Sequence, residues 1–245
     1  MAKNWLIVGA CSGIATELCR ELARRKARLF LCDIDEERLA LLASDLRARH
    51  KVEVQTARFD VLDFNAHERF VTDVEESLGP LYGVAWVAGI MGDQEAQQSD
   101  FTSARKVLDV NYTAALSMLN IIAARMETRG QGHIVGFSSP AGDRGRASNY
   151  IYGAAKGALA ILLSGLRQRL DRSGVSVLTV KPGFVDTKMT KGMNLPFAAD
   201  PKDVARDVAN AIDKKRNVVY TPWFWEIIMG GIIHLPEMLF KKLKF

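Results

Sequence analysis

Tyr152 and Lys156 stand four residues apart, and Ser139 precedes the tyrosine by thirteen. A phenol, an ammonium and an alcohol held together suit one demanding reaction. When hydride reaches a ketone, the carbonyl oxygen becomes an alkoxide that must be protonated. Tyrosine can donate that proton, but its ordinary pKa of about 10 is high for exchange near neutrality. A neighbouring ammonium stabilises the phenolate and lowers that pKa. A serine hydroxyl can hold the carbonyl oxygen. Residues four apart share a helix face. A helix over "YIYGAAKGALAILLSGLRQRL" therefore turns Tyr152 and Lys156 to the same side.

A second group of residues suits a phosphate. The first apolar run, "WLIVGA", leads into "GACSGIA", with Gly9, Ser12, Gly13, Ile14 and Ala15. A glycine turn between a strand and a helix lets backbone approach a pyrophosphate, and the helix N-terminus offers free N–H groups. The spacing is G-x-x-x-G-x-A rather than the G-x-G-x-x-G of the standard dinucleotide fingerprint. Asp33 lies twenty residues after Gly13, at the end of the second apolar run. An acid there accepts hydrogen bonds from ribose hydroxyls and repels a 2′-phosphate. No arginine or lysine stands at Ser12 or Ile34, so NAD(H) is favoured over NADP(H). Asp60 and Val61, after the third run, are placed to meet the adenine. Asp35 is the better cap for the helix that follows Asp33.

These groups need strands that end near one another. Short apolar runs ("ARLFLCD", "KVEVQTARFD", "LYGVAWVAG", "HIVGFSS", "VSVLTVKPG", "NVVYTP") alternate with helix-length amphipathic stretches. That alternation predicts βαβ units and a parallel sheet covered on both faces. The expected fold is a single Rossmann-type, doubly wound α/β domain with about seven strands over residues 1–221. An apolar and basic segment, 222–245, follows it. Ligands in such folds bind at the carboxyl ends of the strands, where every chemical motif above falls.

Composition narrows the classes. The chain has 245 residues, 48% of them hydrophobic, and a net charge of +5. Its three cysteines lack metal spacing and its four histidines are scattered, so no metal site is expected. The first apolar run starts at Trp5, too early for a signal peptide, and a cytoplasmic protein is expected. The basic excess forms no groove-like stripe with interleaved aromatics, so nucleic-acid binding is not expected.

Together the glycine turn, the serine and the Tyr-x-x-x-Lys pair resemble the classical short-chain dehydrogenase/reductase family over almost the whole chain. The resemblance implies a catalytic set of Asn111, Ser139, Tyr152 and Lys156, with Asn111 ordering a proton-relay water. It implies that Lys156 also holds the nicotinamide ribose. In "KPGFVDT" it implies that Pro182, Gly183, Val185 and Thr187 meet the nicotinamide carboxamide. "WVAG" stands where the family has N-N-A-G, which keeps the close backbone approach at Ala88 and Gly89 but removes asparagine hydrogen bonds. The family also implies homodimers or homotetramers.

The loop "AGDRGRASNY" carries Arg144 and Arg146 at the expected mouth of the site, where either could bind an anionic group on the substrate. The chain ends in "TPWFWEIIMGGIIHLPEMLFKKLKF". Its apolar stretch is too short to span a bilayer but suits a helix lying on a membrane surface, a pocket lid or a subunit contact. Loop and ending together are similar to one branch of the family, bacterial reductases like decaprenylphosphoryl-2-keto-pentose reductase. That likeness implies NADH, a polyprenylphosphoryl 2-keto-sugar, and an FAD-dependent oxidase acting upstream. The alternatives are a soluble carbonyl substrate such as a ketoacyl thioester, or a dinucleotide-binding scaffold without turnover. Phe184 to Pro196 is expected to form a substrate lid.

Overall fold

The computed structural model describes residues 3–190, 192 and 197–243. Strand β1 (Asn4–Val8) has both faces covered, and its side chains divide between two apolar layers. Trp5 and Ile7 join one layer, Leu6 and Val8 the other. This is the period-two alternation of a strand buried on both sides, so it reads in sequence as one unbroken apolar run.

Six further strands extend the same sheet: β2 (Arg28–Asp33), β3 (Val54–Arg58), β4 (Gly83–Trp86), β5 (Gly132–Phe137), β6 (Val175–Pro182) and β7 (Val218–Thr221). All neighbours are parallel, in the order β3-β2-β1-β4-β5-β6-β7. The expected doubly wound, seven-stranded parallel sheet is therefore present. Helices α1 (Gly13–Arg24) and α2 (Glu36–His50) lie between the first strands, and α3 (His67–Leu78) follows β3. Between β4 and β5 run α4 (Gln94–Ser99), α5 (Phe101–Leu108) and α6 (Ala114–Arg129). The chain continues with α7 (Tyr150–Leu170), α8 (Pro201–Asp213), α9 (Phe224–His234) and α10 (Glu237–Phe240).

One layer packs Leu18 and Leu22 of α1, Leu42 of α2 and Val204 and Val208 of α8 on the sheet. The other packs Val71 of α3, Met118 and Ile122 of α6 and Leu159 and Leu163 of α7. Each fully buried side chain of this size contributes about 1.5–3 kcal/mol. The run Phe101–Arg129 is apolar and long enough to cross a membrane. Its apolarity has a local cause, since Val107, Met118, Leu119, Ile122 and Met126 are all buried in the protein.

Two expected strands begin later than their apolar runs. Lys51, the first residue of the third run, is the left-handed C-cap of α2, so β3 starts only at Val54. The fourth run begins at Leu81, whose N–H is bonded to the Glu75 carboxylate of α3, and β4 starts at Gly83. In both, helix termination takes residues that hydropathy alone assigns to the strand. Because β1 lies between β2 and β4, the chain leaves it in opposite directions on its two sides. A crevice opens there above the carboxyl ends of the strands.

Candidate active site

The crevice floor is backbone. Gly9 follows β1 with φ +82°, and its N–H donates to Cys32 O at 2.9 Å. A Cβ on Gly9 would lie 2.6 Å from Ala88 Cα and N, so both conformation and space demand glycine. Ser12 caps α1, its Oγ accepting from Ala15 N at 3.3 Å. Gly13 sits against Thr187, whose Cγ2 would be 3.0 Å from an added Cβ. The first and sixth strand turns thereby close on each other. Across the gap left by "WVAG", Val87 N and Ala88 N both donate to Val8 O, at 2.9 and 3.0 Å.

Asp33 ends β2 with its carboxylate fixed by backbone. Oδ2 accepts from Cys11 N at 2.9 Å and Oδ1 from Ile34 N at 2.8 Å. Asp35 caps α2, as its position suggested. Asp60 Oδ1 accepts from Leu62 N at 2.9 Å, and Val61 O lies 3.0 Å from His67 Nε2. A carbonyl only accepts, so His67 carries its proton on Nε2, and Nδ1 accepts from Ser117 Oγ at 2.8 Å. Burial keeps His67 neutral by lowering its pKa. One expectation needs correction here. A cation does reach this end of the crevice: Arg38, in the first turn of α2, folds back to donate to Cys11 O and lines the cavity. The residues beside Asp33 in sequence gave no sign of it, because the side chain returns from one helical turn further on.

At the other end, β5 delivers Ser138 and Ser139. Ser138 Oγ donates to Lys156 O at 2.7 Å, tying the strand end to the backbone of α7. Ser139 Oγ accepts from Ala141 N at 3.2 Å, and Ser139 lines the same cavity as Tyr152. Lys156 is buried, its Nζ 5.6 Å from the Tyr152 ring centre and donating to Phe137 O at 2.9 Å. Burial pushes the phenol up to about 12. Burial pulls Lys156 down to about 8. The lysine was expected to lower the phenol's pKa. Its ammonium donates to the Phe137 carbonyl, and desolvation dominates the phenol.

Asn111 lies in a π-helical turn, Asp109–Thr113, between α5 and α6. Such turns recur at functional sites. Its Nδ2 donates to Ile90 O at 2.7 Å and Val107 O at 2.8 Å, while Oδ1 is buried without a partner. That oxygen and Lys156 Nζ would lie 2.6 and 3.0 Å from a Cβ on Gly89. Asn111, Gly89 and Lys156 thus meet at one point, with an unfilled acceptor there.

A cavity of about 930 Å³ joins the two ends. Ser12, Gly13, Ile14, Gly89, Ser139, Tyr152, Lys156, Pro182, Gly183, Val185 and Thr187 line it. Gly9, Asp33, Asp60, Val61, Ala88 and Asn111 are not part of that lining. Arg38, Arg146, Lys156 and Lys188 contribute four basic side chains, and no carboxylate among the described residues lines the cavity. Together with the glycine cradle at Gly9, this fits a dinucleotide carrying a pyrophosphate.

Sequence suggested the same role for Arg144 and Arg146, and the structure separates them. Arg144 turns away from the cavity. Its guanidinium donates to Ile232 O and Leu235 O, both at 2.6 Å, pairs with Glu237 at 2.9 Å, and stacks 3.8 Å over Phe240. It caps the end of α9, where unpaired carbonyls need donors, so it is not available to a substrate anion. Arg146 lines the cavity. Asp143, beside Arg144, pairs with Lys181 and accepts from Tyr220 OH at 2.7 Å.

The C-terminal segment, for which the sequence left a membrane surface, a pocket lid or a subunit contact open, supplies part of the cavity wall. Trp225 lines the cavity and stands edge-on to Phe184, with ring centres 5.1 Å apart. Its Nε1 would be 1.8 Å from a Cβ on Gly183. The aromatic cluster "WFW" was the available signal, but not the partner it closes on. The expected lid falls partly outside the described residues, at 191 and 193–196; its described part includes the turn Lys188–Thr190 and a bridge from Val185 to Ala199.

Known proteins resemble this chain in sequence and fold. Residues 3–196 match the family described as short chain dehydrogenase. An uncharacterized oxidoreductase of Mycobacterium tuberculosis is 36% identical over 239 residues, covering 97% of this chain and 96% of that one. An acetoacetyl-CoA reductase of Allochromatium vinosum is 29% identical, covering 88% of this chain and 85% of that one. A short-chain dehydrogenase from Sphingobium yanoikuyae, solved in complex with NADPH, superposes with a TM-score of 0.84 at 25% identity, covering 99% and 96% of the two chains. With its glycine cradle, its serine and its buried lysine beneath one crevice, this chain belongs to the short-chain dehydrogenase family and is an oxidoreductase acting between C=O and CH–OH groups.

Proposed function

We propose that this chain is an NAD(H)-dependent reductase that converts the ketone of a polyprenylphosphoryl 2-keto-sugar to a secondary alcohol. The observation that carries the reductase reading is that Ser139, Tyr152 and buried Lys156 line one cavity, with Lys156 Nζ 5.6 Å from the Tyr152 ring centre. Bound reduced nicotinamide supplies hydride to the carbonyl carbon. The oxygen is the concern of the chain's own residues. Ser139 and Tyr152 hold it, and Tyr152 gives up its phenolic proton as negative charge develops. Lys156, whose Nζ lies 5.6 Å from the Tyr152 ring centre, would stabilise the phenolate left behind and hold the nicotinamide ribose. Asn111 Oδ1, buried without a partner, orders the water that returns the proton.

Gly9, Ser12, Gly13 and Ile14 would hold the pyrophosphate. Asp33 would hold the adenosine ribose, with Asp60 and Val61 near the adenine. Ala88 and Gly89 would back the cofactor, and Pro182, Gly183, Val185 and Thr187 would hold the carboxamide. The NADH reading rests on Asp33, whose carboxylate, held by Cys11 N and Ile34 N, would repel a 2′-phosphate brought to the end of β2. The lipid-linked substrate draws support from the basic cavity and from the adjoining segment. Trp223, Ile227, Ile233 and Met238 expose apolar surface there, next to Lys241 and Lys242. That surface suits contact with an anionic membrane. An FAD-dependent oxidase would supply the ketone, and the enzyme would work as a homo-oligomer.

The test follows NADH absorbance with a polyprenylphosphoryl 2-keto-pentose. Turnover by the native chain, lowered about 10²- to 10⁴-fold by Tyr152→Phe, supports the proposal. Turnover of acetoacetyl-CoA but not of the lipid would replace it with the soluble ketoacyl reading, which the Allochromatium relative favours.

A further inference from the structure

Three charged side chains follow Ser139 within eight residues, and the fold gives them three different surroundings. Asp143 is held by Lys181 and Tyr220. Arg144 is held by α9, Glu237 and Phe240. Arg146 alone lines the cavity, and its guanidinium makes no ion pair or hydrogen bond with any described residue. It is half-buried rather than fully solvated, and burial lowers its pKa. A half-buried guanidinium without a partner forgoes both water and counter-charge, which is costly unless an anion arrives.

What lies around Arg146 favours that arrival. Tyr152 and Asn149 line the same cavity as Arg146. No described carboxylate on the cavity wall opposes it. Exposed Lys188 lines the cavity as well. Trp225 Nε1, another donor without a partner, is also part of the wall. Met91, Phe184 and Met189 give the cavity apolar surface beside these cations. A planar fork of donors suits the oxygens of a phosphate ester.

The geometry points to Arg146 as the residue that binds a phosphate ester group carried by the carbonyl substrate, without help from Arg144. This deepens the reductase reading and rests on it. The phosphate could belong to a lipid phosphodiester or to a soluble sugar phosphate, and the two sources separate by what else they carry.

The test uses binding rather than turnover. The full chain is saturated with NADH, which occupies the pyrophosphate cradle, and titrated calorimetrically with inorganic phosphate and with farnesyl phosphate. Arg146→Met is expected to weaken phosphate binding about 10- to 100-fold, the worth of a charge-assisted hydrogen bond. Arg146→Lys should recover part of it, and both variants should bind NADH as the parent does. Farnesyl phosphate binding more tightly than inorganic phosphate identifies a lipid source; equal affinity identifies a soluble ester. No saturable phosphate binding by the parent, or equal binding by Arg146→Met, overturns the inference. So does loss of NADH affinity in Arg146→Met, which would make the residue a support for the loop. Phosphate binding in a chain that reduces no ketone keeps Arg146 as a phosphate site and rejects the reductase reading. Ketone reduction without phosphate binding does the reverse.

Discussion

The two ends of the crevice are built from different materials. At the first strand turn the chain offers its backbone. Gly9 leaves no room for a side chain, and Asp33 is oriented by the N–H groups of Cys11 and Ile34. After Ser139 the loop is positioned by long side chains that reach to distant segments. Arg144 crosses to residues about ninety positions away, and Asp143 crosses to Lys181 and Tyr220. A backbone cradle tolerates almost no change at its glycines but is indifferent to most side chains. A side-chain scaffold accepts backbone variation but fails when one strut is cut.

The largest effect should come where the two ends meet. Lys156→Met is expected to abolish reduction while stabilising the cofactor-free chain by about 1–3 kcal/mol, read by urea denaturation. Burial lowers this lysine from 10.5 to about 8. The unfolded chain therefore holds more protons between those values. Stability rises with pH across that window, and below pH 8 the burial penalty is fully present. In the parent, kcat/KM for reduction should fall as pH rises through about 8 and the ammonium is lost. An unchanged or lower stability for Lys156→Met would show that the lysine contributes to structure as well as chemistry.

Gly9→Val comes next, with an expected loss of about 2–4 kcal/mol from the positive φ and the clash with Ala88. Loss of NADH affinity should accompany it, followed by fluorescence titration. Arg144→Ala tests the opposite end. Amide hydrogen exchange in α9 should accelerate about 10- to 100-fold, corresponding to about 1–3 kcal/mol of lost hydrogen bonding. NADH affinity should hold. If NADH affinity falls as well, the two ends are not separate in the way drawn above. The smallest effect is expected for Gly145→Ala. That glycine has ordinary φ and nothing within 4 Å of an added Cβ, so stability should stay within about 0.5 kcal/mol.

The same contrast explains what the sequence made legible. Strands buried on both faces leave continuous apolar runs, and a turn that needs glycine shows glycine. The β1 cradle, the serine after β5 and the Tyr152–Lys156 spacing were therefore readable from local pattern. Arg144 and Arg146 read alike because a loop arginine looks the same whether its partner is water, a substrate or a carbonyl of a later helix. Arg38 and Trp225 were missed for the same reason: each acts on a segment remote from its own. Strand starts at Val54 and Gly83 were misjudged where helix capping competed with hydropathy for the same residues.

The Ser138 hydroxyl on the Lys156 carbonyl has a consequence for how such a site can diversify. Beside it, Gly142 and Gly157 touch backbone to backbone, since a Cβ on Gly142 would lie 2.6 Å from Gly157 N. Strand end, turn and helix are welded at these points, so the distance from Ser139 to Tyr152 and Lys156 is set without reference to the residues looped out between Asp143 and Asn149. That stretch can lengthen, shorten or change charge while the proton-handling groups keep their spacing. Substrate preference can therefore drift by rewriting a short insert, with the reaction itself left in register.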